Sequence, residues 1–135
     1  DQEDLRKTLA QIQKLEKESI IETITNSNGT AIKFADGTMI CTKSMSFQNV
    51  AITQKVGELY QSSALNLGNW AQSFIETPNT AMACVNGGWA AWIYQYTNYS
   101  TTGAGTATLL RPTSAAASTE ANYRIGVLAI GRWKN

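Results

Sequence analysis

The chain has 135 residues, a formal net charge of +1 from 11 basic and 10 acidic side chains, and no histidine. That length allows one domain with a modest core plus an appendage. The missing His removes Ser-His-Asp and Cys-His dyads and His metal sites, and without a signal peptide or an apolar run near the ~18 residues of a membrane span, membrane insertion is not expected.

The first element in chain order is a helix. "DLRKTLAQIQKLEKESIIETI" has strong helix formers and no Gly or Pro, with Leu5, Leu9, Ile12, Leu15, Ile20, Ile21 and Ile24 along one narrow stripe. Its flanking Lys and Glu suit the exposed sides of a coiled coil, although Ser19 and Glu22, or Glu16 and Thr23, interrupt the seam in either register. A helix this polar does not hold itself up and calls for copies of itself. Residues 1–26 are therefore expected to form a coiled-coil stem, and the initial Asp, in place of Met, implies a piece of a longer protein.

"TNSNGT" breaks the helix, and residues 27–135 read as short strands and turns. Segments 32–34 and 39–47 flank Asp36-Gly37, whose residue types suit a tight hairpin turn. Segments 52–60 and 73–75 are weaker strand candidates; 81–85, 90–97, 106–111 and 123–133 are stronger. "NGG", "TNYSTTGAG" and "PTSAAASTEAN" are loops. This near-regular spacing, without an internal repeat, predicts a β-sandwich or barrel. The final "YRIGVLAIGRWKN" is apolar at its centre on both faces, Ile125, Val127 and Ala129 on one and Leu128 and Ile130 on the other. One face is expected to meet an opposing sheet and the other a neighbouring subunit, with Gly126 and Gly131 permitting close approach.

Charge is unevenly spread. Residues 1–26 hold four bases and six acids, and residues 27–135 only seven and four, about a tenth charged where roughly a quarter is usual. A body made polar by Ser, Thr, Asn and Gln suits neutral partners or subunit contacts, and without a basic patch no nucleic-acid partner is expected. Cys41 and Cys84 sit in apolar runs ("TMICT", "AMACV") and read as buried thiols, with a disulfide as the alternative. Asp36, Glu76 and Glu120 form no evident catalytic pair, and "GAG" at 103–105 lacks the strand–loop–helix context of a phosphate loop. No enzyme activity, metal or cofactor is expected.

"GGWAAWIYQYTNY" places Trp92, Tyr94 and Tyr96 on one face of a strand, with Trp89, Asn98 and Tyr99 at its ends. Aromatic rings beside amides and hydroxyls provide what a neutral sugar needs, apolar stacking faces and hydrogen bonds. The strand aromatics fit a core or subunit interface as well, whereas the loop residues lean towards function. Arg111 and Arg124 flank the loop "PTSAAASTEAN" and complete the candidate ligand-binding set, each alternatively a strand-end charge.

"IKFADGTMICT", "LNLGNWAQSFIETPNTAMA", "TTGAGTATLLRP" and "YRIGVLAIGRWK" resemble the C-terminal domains of bacteriophage tail fibre and receptor-binding proteins, over roughly residues 30–135. The middle-to-end portion also resembles H-type lectin domains, in which an aromatic-rich stretch leads through a Phe–x–x–x–Pro step into a core strand. Phe74 and Pro78 fill that step. The resemblance implies a homotrimer of small β-sandwiches, often below a coiled-coil stem. H-type lectins hold sugar at inter-subunit loops through an Arg with an aromatic or His. This chain has no His, and "PTSAAASTEAN" has neither Arg nor an aromatic, so a site using Trp89, Asn98 or Tyr99 would be its own arrangement.

The expected fold is thus mainly β: an antiparallel β-sandwich over residues 27–135, preceded by a coiled-coil helix, trimeric. The expected function is host attachment through a cell-surface saccharide at the phage tail tip. The alternative is a structural tail or baseplate component whose aromatic face docks other tail proteins.

Overall fold

The computed structural model describes residues 1–86, 90–118 and 121–135. Helix α1 (Gln2–Glu18) is capped by Asp1, whose carboxylate accepts the Asp4 N–H at 2.9 Å, and Glu3 and Asp4 in its first turn complement the helix dipole. Leu5, Leu9, Ile12 and Leu15 are between 47% and 69% exposed, so no described part of the chain covers this apolar stripe.

The helix is shorter than its apolar spacing predicts. Residues Ile20–Asn26 form strand β1, antiparallel to β2 (Gly29–Phe34). Ile20, Ile21, Thr23, Ile24 and Thr25 are β-branched, stiff at χ1 and suited to a pleated surface. A salt bridge at 2.8 Å from Lys33 to Glu22 spans the pair.

The remaining strands are β3 (Thr38–Phe47), β4 (Ile52–Val56), β5 (Leu59–Ser62), β6 (Leu65–Asn66), β7 (Asn79–Asn86), β8 (Trp92–Thr97), β9 (Thr106–Arg111) and β10 (Tyr123–Arg132). The first sheet has the order β1-β2-β3-β10-β7, antiparallel throughout. The expected hairpin at Asp36-Gly37 joins β2 and β3; the Asp36 carboxylate accepts the Thr38 N–H at 2.8 Å, which holds its pKa below the usual value. In the second sheet β9 is central: β8 lies on one side, and β5 and β6 lie in line on the other, with β4 beyond β5. Ser62 bridges the break between β5 and β6, its hydroxyl accepting the Leu109 N–H at 3.0 Å. Segment 73–75 is no strand but a corner around buried Phe74.

One core joins both sheets, with Met39, Cys41, Ile125, Val127 and Ala129 from the first and Ile52, Ala107 and Leu109 from the second. The loop before β10 is tied down through its small residues: Ile52 and Ala115 exchange two backbone hydrogen bonds, and Val50 donates to Ala121. Neither Cys41 nor Cys84 forms a disulfide, and burial pushes both thiol pKa values up. Among the described residues no helix is long and apolar enough to cross a membrane.

Strand β10 alternates as expected. Tyr123, Ile125, Val127 and Ala129 are buried, whereas Leu128 and Ile130 are 40% and 45% exposed on the outer face. Its two central glycines differ. A Cβ on Gly126 would meet nothing within 4 Å, so close approach does not explain it within the chain. On Gly131 a Cβ would meet the Phe74 ring at 2.8 Å and Pro78 at 3.2 Å. Gly131→Val is therefore expected to destabilise the fold by about 1–3 kcal/mol through overpacking, and Gly126→Val to leave it within about 1 kcal/mol of the parent; chemical denaturation of the two variants checks this.

Candidate functional site

The site grows out of "LNLGNW". Leu67 and Trp70 are buried, and between them Gly68 turns the chain at φ +74° while Asn66 accepts the Gly68 N–H at 2.9 Å. This leaves Asn66 and Asn69 at the surface. The segment is fastened to the loop after β8: Leu67 donates to Gly105, Ala104 to Gly68, Trp70 to Thr102 and Phe74 to Thr101, all backbone bonds of 2.8–3.0 Å. The Trp70 indole adds a bond of 2.9 Å to the Ser100 carbonyl and meets Phe74 edge-on at 5.9 Å. Within the loop, Ser100 accepts the N–H groups of Thr102 and Gly103 through its hydroxyl.

The β1–β2 turn forms the third wall. Asn26 accepts the Asn28 N–H at 2.8 Å and donates to the Ala71 carbonyl at 3.0 Å, joining the turn to the segment after Trp70. Together these segments frame a groove of about 610 Å³ whose lining includes Asn28, Asn66, Asn69, Asn98, Ser100 and Thr102. Beside it is a recess of about 310 Å³ bounded by residues 26–29, Lys43 and Gly68. Each Asn amide offers two donors and an acceptor, and each hydroxyl can do both. Among the described residues no carboxylate lines either space. The described lining of the groove thus offers neutral hydrogen-bond donors and acceptors side by side.

The aromatic strand departs from its period-two reading. Tyr94 is the extra residue of a β-bulge, because Ile93 pairs with Leu109 and Gln95 with Thr108. The bulge turns Tyr96 to the same face as Ile93, opposite Ala107, while Trp92 and Tyr94 are 45% and 43% exposed. Trp92, Tyr94 and Tyr96 thus do not share a face. The Tyr96 ring stacks on Tyr99 at 4.9 Å, and burial raises the pKa of its hydroxyl.

Of the expected site residues, Asn98 lines the groove and Tyr99 lies between two lining residues, 40% exposed. Trp92 and Arg111 lie at the other end of β8 and β9, roughly 15–20 Å away at the rise of a strand; Arg111 donates to the Thr113 hydroxyl at 3.3 Å. Arg124 belongs to the other sheet, opposite Ser46 of β3. Trp89 lies outside the described residues. Asn28, Asn66, Asn69 and Lys43 are absent from the set read from the sequence, although the Asn28-Gly29 pair, Gly68 between Asn66 and Asn69, and a Lys among Met39, Cys41 and Met45 in an alternating strand are readable signals.

No family model matches the chain, and no curated protein matches it. Two solved structures are similar. An N-truncated R1-type pyocin tail fibre has 13% identity and a TM-score of 0.48, covering 84% of this chain and 88% of that one. A C-terminal portion of the R1 pyocin fibre of P. aeruginosa has 15% identity and a TM-score of 0.47, covering 84% of this chain and 29% of that one.

Proposed function

We propose that this chain is the tip module of a phage tail fibre, a trimeric β-sandwich on a coiled-coil stem that attaches the virion to a host cell-surface saccharide. The observation that carries this reading is the Asn-, Ser- and Thr-lined groove held open by the paired loops 66–74 and 98–105. The tail-fibre motifs in the sequence give the context in which such a groove would work. The exposed leucines and isoleucines of α1, with Leu128 and Ile130 on the outer sheet face, supply apolar surface for subunit contacts. Trimerisation would multiply weak single-site binding through effective concentration. The module is non-catalytic in this reading and needs no metal or cofactor.

Glycan-array binding by the full chain, with its oligomeric state from light scattering, tests the proposal. Three chains per particle are expected. Asn69→Ala should weaken single-site binding about tenfold, the loss of about 1.4 kcal/mol of hydrogen bonding. Asn98→Gly should do the same, because Gly accepts the φ of +64° found at Asn98. A monomer at micromolar concentration would overturn the trimer. Failure to bind any glycan or intact candidate cell, with tight binding to another tail protein lost on Trp92→Ala, would instead establish the docking role. The exposure of Trp92 and Tyr94 favours that second reading.

A further inference from the structure

Lys43 is out of place in its strand. Met39, Cys41 and Lys43 alternate on the core-facing side of β3, and Lys43 is only 9% exposed. Its Nζ donates to the Asn69 carbonyl at 2.7 Å, which uses one of the three donors of an ammonium. Among the described residues the side-chain carboxylates in ion pairs are those of Asp4, with the N-terminus, and Glu22, with Lys33. No described carboxylate therefore pairs with Lys43. Burial alone lowers its pKa, the signature of a charge held without a counter-charge. An unpaired ammonium this far out of water is costly, whereas an apolar residue of similar length would continue the pattern of the strand.

The ammonium is nonetheless open towards the site. Gly68, which borders both the groove and the recess, carries no side chain over it; a Cβ there would lie 3.2 Å from Nζ. Lys43 itself lines the recess together with Asn28, and Asn69, whose backbone carbonyl it holds, lines the adjoining groove. A ligand that spans the groove and the adjoining recess can thus present an anionic substituent to Lys43, the one cation among the described lining side chains of the two spaces, and hydroxyls to the amides of the groove.

Resting on the saccharide-binding function proposed above, we infer that the groove and the adjoining recess together take an acidic saccharide, whose carboxylate or phosphate enters the recess and pairs with Lys43 while Asn66, Asn69 and Asn98 in the groove hold the neighbouring hydroxyls. A charge-assisted hydrogen bond in a partly desolvated recess is stronger than a neutral one, and the amides alone would not distinguish charged sugars from neutral ones.

The full chain is tested against matched pairs: sialyllactose and lactose, mannose phosphate and mannose, oligogalacturonate and its methyl ester. The acidic member of at least one pair should bind about tenfold more tightly, and the pair concerned distinguishes carboxylate from phosphate. Lys43→Met, which keeps the apolar stem, and Lys43→Gln should both abolish that preference, the ratio of acidic to neutral binding falling to about one whatever the change in absolute affinity. Lys43→Arg should retain it. Thermal melts establish which variants fold, and the Gln and Arg pair suffices should Met not fold. Equal binding of neutral and acidic members, or a preference that survives Lys43→Gln, overturns the inference and leaves saccharide binding standing. Binding of neither series overturns both.

Discussion

Trp70→Ala is expected to cost about 3–5 kcal/mol of folding stability, the range for deleting a large buried aromatic. Trp70 is 3% exposed and packs edge-on against Phe74, so its removal opens a cavity at the corner that leads into β7. It also deletes the indole bond to the Ser100 carbonyl. Small domains are stable by only about 5–15 kcal/mol, so the variant should unfold at a much lower denaturant concentration. Trp70→Phe separates the two roles. It keeps most of the apolar volume, loses the bond to Ser100, and should cost about 1–2 kcal/mol. Both variants should also weaken glycan binding, because the same indole holds the loop that supplies Asn98, Ser100 and Thr102 to the groove. Equilibrium unfolding in urea and array binding measure the two effects. Full stability in Trp70→Ala would mean that the loop is held by other contacts.

The parts of the fold that follow from local chemistry were legible in the sequence. The Asp36-Gly37 hairpin is a matter of two residues and their turn, and alternation sorts the residues of β10 onto two faces, although both are apolar at the centre and the choice of buried face needs the fold. Segment 20–26 was misleading because Ile20, Ile21 and Ile24 continue the helical spacing. What decides its state is pairing with β2, a partner that periodicity does not contain. Tyr94 illustrates the same limit on a smaller scale: one extra residue in β8 exchanges the faces of everything after it, and only the partner strand β9 shows the shift. The groove was hardest to foresee. Its residues come from positions 28, 66–69 and 98–106, each an ordinary turn by itself, and no period links them. Lys43 is different, since a lone charge in an apolar alternation is visible without any partner.

Gly105 provides the sharpest test of how the groove is built. It has φ +82°, and a Cβ there would collide with the Thr97 carbonyl oxygen and come within 2.6 Å of the Tyr99 amide nitrogen. Gly105→Val therefore combines an unfavourable backbone conformation with a steric clash, on the order of 3 kcal/mol or more. Relief requires Gly105 and residues 97–99 at the two ends of the loop to move apart, which disturbs the Leu67–Gly105 backbone bond that fastens the loop. Gly57 is the control, with φ +59° and nothing within 4 Å of its would-be Cβ. Gly57→Val carries only the conformational part, about 1–2 kcal/mol, and lies in the β4–β5 turn away from the groove-lining residues. Urea unfolding should rank the two variants in that order. Saccharide binding, measured where each remains folded, should fall in Gly105→Val and persist in Gly57→Val. Equal costs would mean that backbone conformation alone governs both sites, and undiminished binding by folded Gly105→Val would show that the groove does not depend on the loop staying against Leu67.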